Sequence, residues 1–318
     1  MSDPERRAFA ALAVMPTDFD REAGKAVVEG TRPESAAAAK SLDRLVHLNL
    51  LDYDEDWQRY GWHDLLRDYA LAQLPEDEAE GARLGHAEHF TEIGERADEL
   101  YLQGHGLVRQ GLELFDRERG HLEAAFTFLA HDPRWAERVI RLIRGAAYTS
   151  DLHFSPHQRI QWLEVQATAA RRVGDRKAES GALCNLGRAY FELGEPRKAI
   201  EYHGQSLGIA REIGDRLGGD MALGNLGMTY RSLGEPRKAI GYYEQRLVIH
   251  REIRDRRGEG KDLWNSALAY EELGERAQAL PLAQQALAIL EAIEDHNAAM
   301  VRETLAQWQG GDESLSRG

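Results

Sequence analysis

The segment 193-LGEPRKAI-200 recurs unchanged at 233-LGEPRKAI-240 and in looser form at 273-LGERAQAL-280. The step is 40 residues each time, and other columns keep it: Asn185, Asn225 and Asn265; Tyr190, Tyr230 and Tyr270; Asp175, Asp215, Asp255 and Asp295. Self-similarity at such a period marks stacked supersecondary units, each of which buries its apolar face only against its neighbours. The fold of the carboxyl-terminal half follows from this repeat.

Each unit reads as two helices. Leu183, Leu186 and Tyr190 recur at three- and four-residue steps, the helical period. Gly194 supplies a left-handed helix end, and Pro196 opens the next helix where its missing N–H costs nothing. Ala199, Leu207 and Ile213 are expected on the apolar face of the second helix, and the small pairs Gly187 with Ala199, Gly227 with Ala239 and Ala267 with Ala279 let the helices approach closely. Glu195 with Lys198 and Arg197 with Glu201 have the spacing of helix-surface ion pairs.

This pattern resembles the tetratricopeptide repeat, in its 40-residue variety with an extended second helix; the small–aromatic–small signature falls on Gly187, Tyr190 and Ala199 and on their equivalents. The resemblance implies a right-handed α-solenoid. Three repeats are expected over 175–294, a degenerate one over 135–174, a capping helix over 295–309 and a disordered tail over 310–318, with a helical linker over 75–134.

Composition narrows the function classes. Hydrophobic residues at 42% and charged residues at 30% describe a folded chain with a real core. No run of 18 apolar residues suggests a transmembrane helix, the amino terminus lacks the pattern of a secretory signal, and a lone Cys184 offers no internal disulfide; together these suggest the cytoplasm. The net charge of −14 does not suit a dedicated polyanion binder.

The amino-terminal third, residues 1–74, is expected to hold helices over 4–13 and 20–29, the second ended by Gly30, and a third running to about His47 from a capping box of Thr31 and Glu34. LLDY and QRYGW, parted by Asp54-Glu55-Asp56, read as a two-stranded wing. A fourth helix starts at Asp64, a good N-cap residue, and carries Leu65, Leu66, Tyr69 and Ala72 on one side. The whole chain is therefore mainly α: a winged-helix domain followed by the solenoid.

FAALAVMPTDFD, SLDRLVHLNLL and RYGWHDLLRDYALAQL, within 9–74, resemble the winged-helix domain of NB-ARC proteins, the signal-transduction ATPases with numerous domains (STAND). DRERGHLEAAFTFL at 116–129 resembles the helix that joins winged helix and repeats in bacterial regulators of that type. The family's Met-His-Asp sensor appears here as Trp62-His63-Asp64, and the resemblance implies that His63 approaches the β-phosphate of ADP. A phosphate-binding G-x-x-x-x-G-K-S/T loop is not found; GEGKD at 258–262 falls inside the repeat register with Asp255 and Asp262 at the wrong places. One charge-assisted hydrogen bond contributes roughly 1.5–3 kcal/mol, whereas millimolar affinity needs about 4 kcal/mol. His63 alone is thus not expected to hold nucleotide, and ADP or ATP enters only if an NB-ARC ATPase on another chain supplies the pocket.

Candidate contact residues come from the repeats. Asn185, Asn225 and Asn265 stand where resembling arrays face their groove, and each can donate to and accept from a peptide backbone. An inter-repeat hydrogen bond is the alternative. Arg188, Met228, Lys261 and Trp264 fill adjoining groove columns, a mixture suited to a peptide or protein segment of some acidic character. His86 and His89 form H-x-x-H without a third ligand and are expected at the surface; Cys184 has no histidine in its own unit. No catalytic or metal site is read. Three functions stay open: a regulatory protein–protein interaction module, a truncated or split remnant of an NB-ARC regulator, and a DNA-binding peptide sensor. The last rests only on Lys40, Arg44 and His47 in a segment where 14 acidic residues outnumber 9 basic ones.

Overall fold

The computed structural model describes residues 1–31 and 38–315, the side chains of 38, 39 and 310–315 excepted. Its chain divides into two compact units, Met1–Ser155 and Pro156–Gly318. The boundary falls inside 135–174, so the segment expected as a degenerate repeat is shared between them. No helix among the described residues is long and apolar enough to cross a membrane.

The first unit begins with α1 (Asp3–Leu12), α2 (Arg21–Thr31), α3 (Ala38–His47), β1 (Asp52–Asp54), β2 (Arg59–Gly61) and α4 (Asp64–Ala72). The hairpin pairs antiparallel with Tyr53 opposite Tyr60, and Phe19 bridges to Tyr60 from the other side. Long helices follow, α5 (Glu76–Gln103) and α6 (Leu107–His131), then α7 (Ala136–Gly145) and α8 (Ala147–His153). Phe19, Tyr60, Leu12, Met15, Leu42 and Leu45 are buried together with the inner faces of these elements. Buried side chains of this size contribute about 1.5–3 kcal/mol each.

Two expectations change here, and a third lies outside the described residues. Gly30 does not end α2, which continues to Thr31; a Cβ at Gly30 would lie 2.4 Å from the Gly81 carbonyl oxygen, so its role is close contact with α5. Glu34 of the expected capping box lies outside the described residues. His63, not Asp64, is the N-cap of α4, with no side-chain cap bond, and Asp64 is the first helical residue, where its charge still suits the helix dipole. On α4 the apolar side faces outward, with Leu65 84% and Tyr69 61% exposed, while Ala70 is buried.

The second unit stacks α9 (Pro156–Val173), α10 (Arg176–Glu192), α11 (Pro196–Ile213), α12 (Arg216–Ser232), α13 (Pro236–Ile253), α14 (Arg256–Glu272), α15 (Arg276–Ala292) and α16 (Ala298–Leu315) in chain order. Helical backbone thus continues past 309, where the tail was expected to start. Asp175, Asp215 and Asp255 are N-caps whose carboxylates accept from the backbone N–H of Ala178, Gly218 and Gly258. Gly194, Gly234 and Gly274 take positive φ at the turns between the helices of a repeat. Between repeats, Gly174 and Gly214 do the same, and Arg254 holds that left-handed position without the freedom of glycine.

The column that begins with Gly187 explains helix spacing within a repeat. A Cβ there would lie 2.4 Å from the His203 ring, and one at Gly227 would lie 2.4 Å from the Tyr243 ring. In the third repeat the partners are Ala267 and Ala283, both fully buried. A ring therefore fills the space that glycine leaves, and two alanines share it where neither is present. Tyr190 stacks on Tyr202 and Tyr230 on Tyr242, with Lys198 and Lys238 over Tyr190 and Tyr230. Lys198 also pairs with Glu195 at 2.6 Å. Arg197 and Glu201 form no ion pair among the described residues, and Ile213 is 39% exposed rather than part of the buried face.

Candidate peptide-binding face of the repeats

The first helices α10, α12 and α14 carry the candidate residues at equivalent positions. All three asparagines are half-buried, but they are not alike. Asn225 donates through Nδ2 to Cys184 Sγ at 3.4 Å, the inter-repeat bond that competed with a groove role. Asn185 and Asn265 make no side-chain hydrogen bond among the described residues, so both amides are available to a ligand. The difference lies one column away: Cys184 offers an acceptor to Asn225, whereas Gly224, the equivalent residue before Asn265, has no side chain. Burial pushes the Cys184 thiol up, which leaves it inert as a nucleophile.

Arg188 and Lys261 are exposed, and Arg188 lies 4.0 Å from Glu192 on its own helix. Lys177 and Lys261 have no ion-pair partner among the described residues. Met228 is 47% exposed. Trp264 departs from expectation: it is 8% exposed and stacks on Trp308 of α16 at 5.6 Å. It closes the last repeat instead of lining an open face, because the residues that cover it lie outside the repeat register.

Two exposed apolar residues of α12 are not among those expected to line the groove. Leu217 is 71% and Met221 49% exposed on α12. With Gly224 and Met228 they follow the steps four, three and four, one stripe of a helix about 16 Å long. The buried side of the same helix holds Ala222, Leu223 and Leu226. The signal was a second apolar series on a helix whose first series already met its neighbours.

Behind this face lie buried polar groups. His203 of α11 is 1% exposed and its Nδ1 has no partner; burial, with the Arg188 charge adding to it, pushes the imidazole down to about 4 from 6.5. The folded chain thus holds it neutral, while the unfolded chain takes up a proton below pH 6.5. Its stability contribution is complete above pH 6.5 and is lost as pH falls toward 4, about 3 kcal/mol at the limit. His203→Phe should flatten that part of the stability profile, as measured by urea unfolding at successive pH values. A profile as steep as the parent's would contradict this.

Between α12, α13 and α14, Arg246 donates to Asp220 and to Asp262, both at 2.9 Å. His250 approaches Asp220 at 2.9 Å through Nε2 and Asp262 at 2.8 Å through Nδ1. The second approach is off the N–H axis, so neither Nδ1 nor the facing Asp262 Oδ2 has an aligned hydrogen bond. Burial pushes the fully enclosed Asp262 carboxyl up to about 6 despite these cations. Among the described residues no group of three or more His, Cys, Asp or Glu side chains could hold a metal ion.

In the first unit, His63 is exposed and its ring has no partner among the described residues. On α3, Arg44 lies 3.7 Å from Glu5, which takes one cation from the possible DNA contact. His86 is buried at 4% exposure, not on the surface, because α6 brings His121 over it; His89 is half-buried.

Residues 166–252 match the tetratricopeptide repeat model. The repeats are tetratricopeptide repeats. No match was found among curated proteins. Of the solved structures, a putative kinesin light chain with nearly identical TPR-like repeats from Podosopora anserina shares 20% identity over 66% of this chain and 98% of that one, with a TM-score of 0.50. That likeness concerns the fold. The TPR domain of Arabidopsis FLU shares 26% identity over 37% of this chain and 98% of its own, at a TM-score of 0.35. A STAND protein with a tetratricopeptide repeat sensor from Pyrococcus horikoshii aligns with 100% of this chain and 65% of its own at 14% identity, with a TM-score of 0.37. The repeat fold suggests a protein–protein interaction module.

Proposed function

We propose that the chain is a non-enzymatic, cytoplasmic regulatory module whose first-helix face captures a peptide or protein segment. The observation that carries this reading is the open face of α12. Leu217, Met221 and Met228 are exposed there, flanked by the free amides of Asn185 and Asn265 and by Arg188 and Lys261 on the neighbouring first helices. Apolar contact supplies affinity, the amides hold a backbone, and the cations favour an acidic ligand. Asn225 has the lesser part, since Cys184 already engages its donor.

Asn185→Ala with Asn265→Ala should weaken retention of a co-purifying partner by about 1 kcal/mol per side chain, without altering the melting temperature. Unchanged retention would remove the groove from the account.

A second reading concerns the first unit. Its order of three helices, hairpin and helix fits the NB-ARC-type winged-helix domain that the sequence resembles, and Leu65 and Tyr69 leave an apolar side of α4 uncovered. An NB-ARC ATPase or effector on another chain would be the partner, and His63 would meet nucleotide only in that assembly. DNA does not fit the acidic balance.

A further inference from the structure

A cleft of about 420 Å³ opens in the first unit. It is lined by Val14, by Arg83 and His86 of α5, and by Ala124, Phe128 and His131 of α6, with Thr127 beside them. Arg83 and His86 stand three residues apart and share a side of α5. Val14, Ala124 and Phe128 make the walls apolar. Arg83 is exposed and forms no ion pair among the described residues.

The imidazole at the cleft is wired from behind. His121 Nε2 lies 2.9 Å from the Asp18 carbonyl oxygen, which can only accept, so that nitrogen carries the proton. Thr17 Oγ1, also at 2.9 Å, shares it. Neutral His121 therefore presents a bare Nδ1, and His86 Nε2 donates to it at 3.0 Å. Phe90 stacks flat on the His121 ring at 4.0 Å and fixes its plane. Burial pushes both imidazoles down, His86 the more strongly, so the pair is neutral near pH 7. The remaining nitrogen, His86 Nδ1, is left as an acceptor with no partner among the described residues, on a side chain that is 4% exposed.

From this geometry we infer that the cleft between α5 and α6 binds a small organic anion with an apolar body and one hydrogen-bond donor, the anion at Arg83 and the donor on His86 Nδ1. The volume suits a single-ring compound. A buried acceptor of fixed tautomer selects for the donor, because a ligand lacking it leaves the nitrogen dry and unpaired.

The test titrates the full chain with 4-hydroxybenzoate and with benzoate, reading the His86 ring ¹⁵N shifts. 4-Hydroxybenzoate should saturate in the millimolar range and bind about tenfold more tightly than benzoate. Arg83→Gln, an exposed change that does not disturb folding, should weaken both about tenfold. His86→Phe should erase the difference between the two, read from the Thr127 and His131 backbone amides. No saturable shift at millimolar 4-hydroxybenzoate, equal binding of the two probes to the parent chain, or binding indifferent to Arg83→Gln would each overturn the proposal, and the last three readings stand even where His86→Phe fails to fold.

Discussion

Arg246→Met is expected to lower the unfolding free energy by about 3–5 kcal/mol. The guanidinium lies between Asp220 and Asp262, with side-chain exposures of 14% and 0%. Removing it leaves two carboxylates facing each other with only His250 beside them, and Asp262, wholly out of water, cannot be hydrated without opening the packing of α12, α13 and α14. The same place one repeat earlier holds Ser180 and Ser206, whose hydroxyls meet at 3.1 Å; one repeat later it holds Gly260 and Ala286. The array therefore tolerates neutral fillings at this position. Changing the whole set, with Asp220→Ser, Arg246→Ser, His250→Ala and Asp262→Ala, should cost far less than Arg246→Met alone. Chemical unfolding of both variants decides this. A set of four changes as damaging as the single one would show that packing volume, not unpaired charge, governs the site.

Gly85→Ala should cost about 3 kcal/mol or more. A Cβ at Gly85 would stand 2.2 Å from the carbonyl oxygen of Ala26, and one at Gly30 or at Gly81 would stand 2.4 Å from the carbonyl oxygen of the other. The atoms that such a Cβ would meet are backbone, so no side chain can turn aside. The added methyl group forces α2 and α5 apart and loosens the burial of Val27, Val28 and Ala82 between them. Gly208 is a control: it is helical with nothing within 4 Å of a Cβ, and Gly208→Ala should stabilise its unit by about 0.5–1 kcal/mol. Thermal unfolding followed separately for each unit reads both effects. A Gly85→Ala protein as stable as the parent would mean that the helices are not in contact as described.

The repeat made much of the second unit legible. Period, helix boundaries and the left-handed glycine turns follow from residues that recur every 40 positions, whereas the capping role of the recurring aspartates is seen only in the structure. What a column could not reveal is how one member differs in its surroundings. Asn225 and Asn265 look equivalent in sequence, yet only the first faces a sulfur atom. Trp264 reads as a groove residue until α16, which obeys no repeat, lays Trp308 on it. In the first unit Gly30 reads as a helix stop because local sequence carries no record of Gly81, 51 positions away. His86 reads as a surface residue for the same reason, since its cover comes from α6. The apolar side of α4 reads as a stripe, and the sequence does not say that Leu65 and Tyr69 turn outward. Periodicity says which residues share a side of a helix, and only tertiary contacts say what that side meets.

The repeat face is tested most directly by a photo-crosslinking side chain placed at Met221 on α12 or at Val248 on α13, which are 49% and 56% exposed. The account predicts a discrete adduct from Met221, lost when Asn185 and Asn265 are both alanine, and none from Val248. Equal adducts from the two positions, or a Met221 adduct that survives the loss of both asparagines, would contradict it.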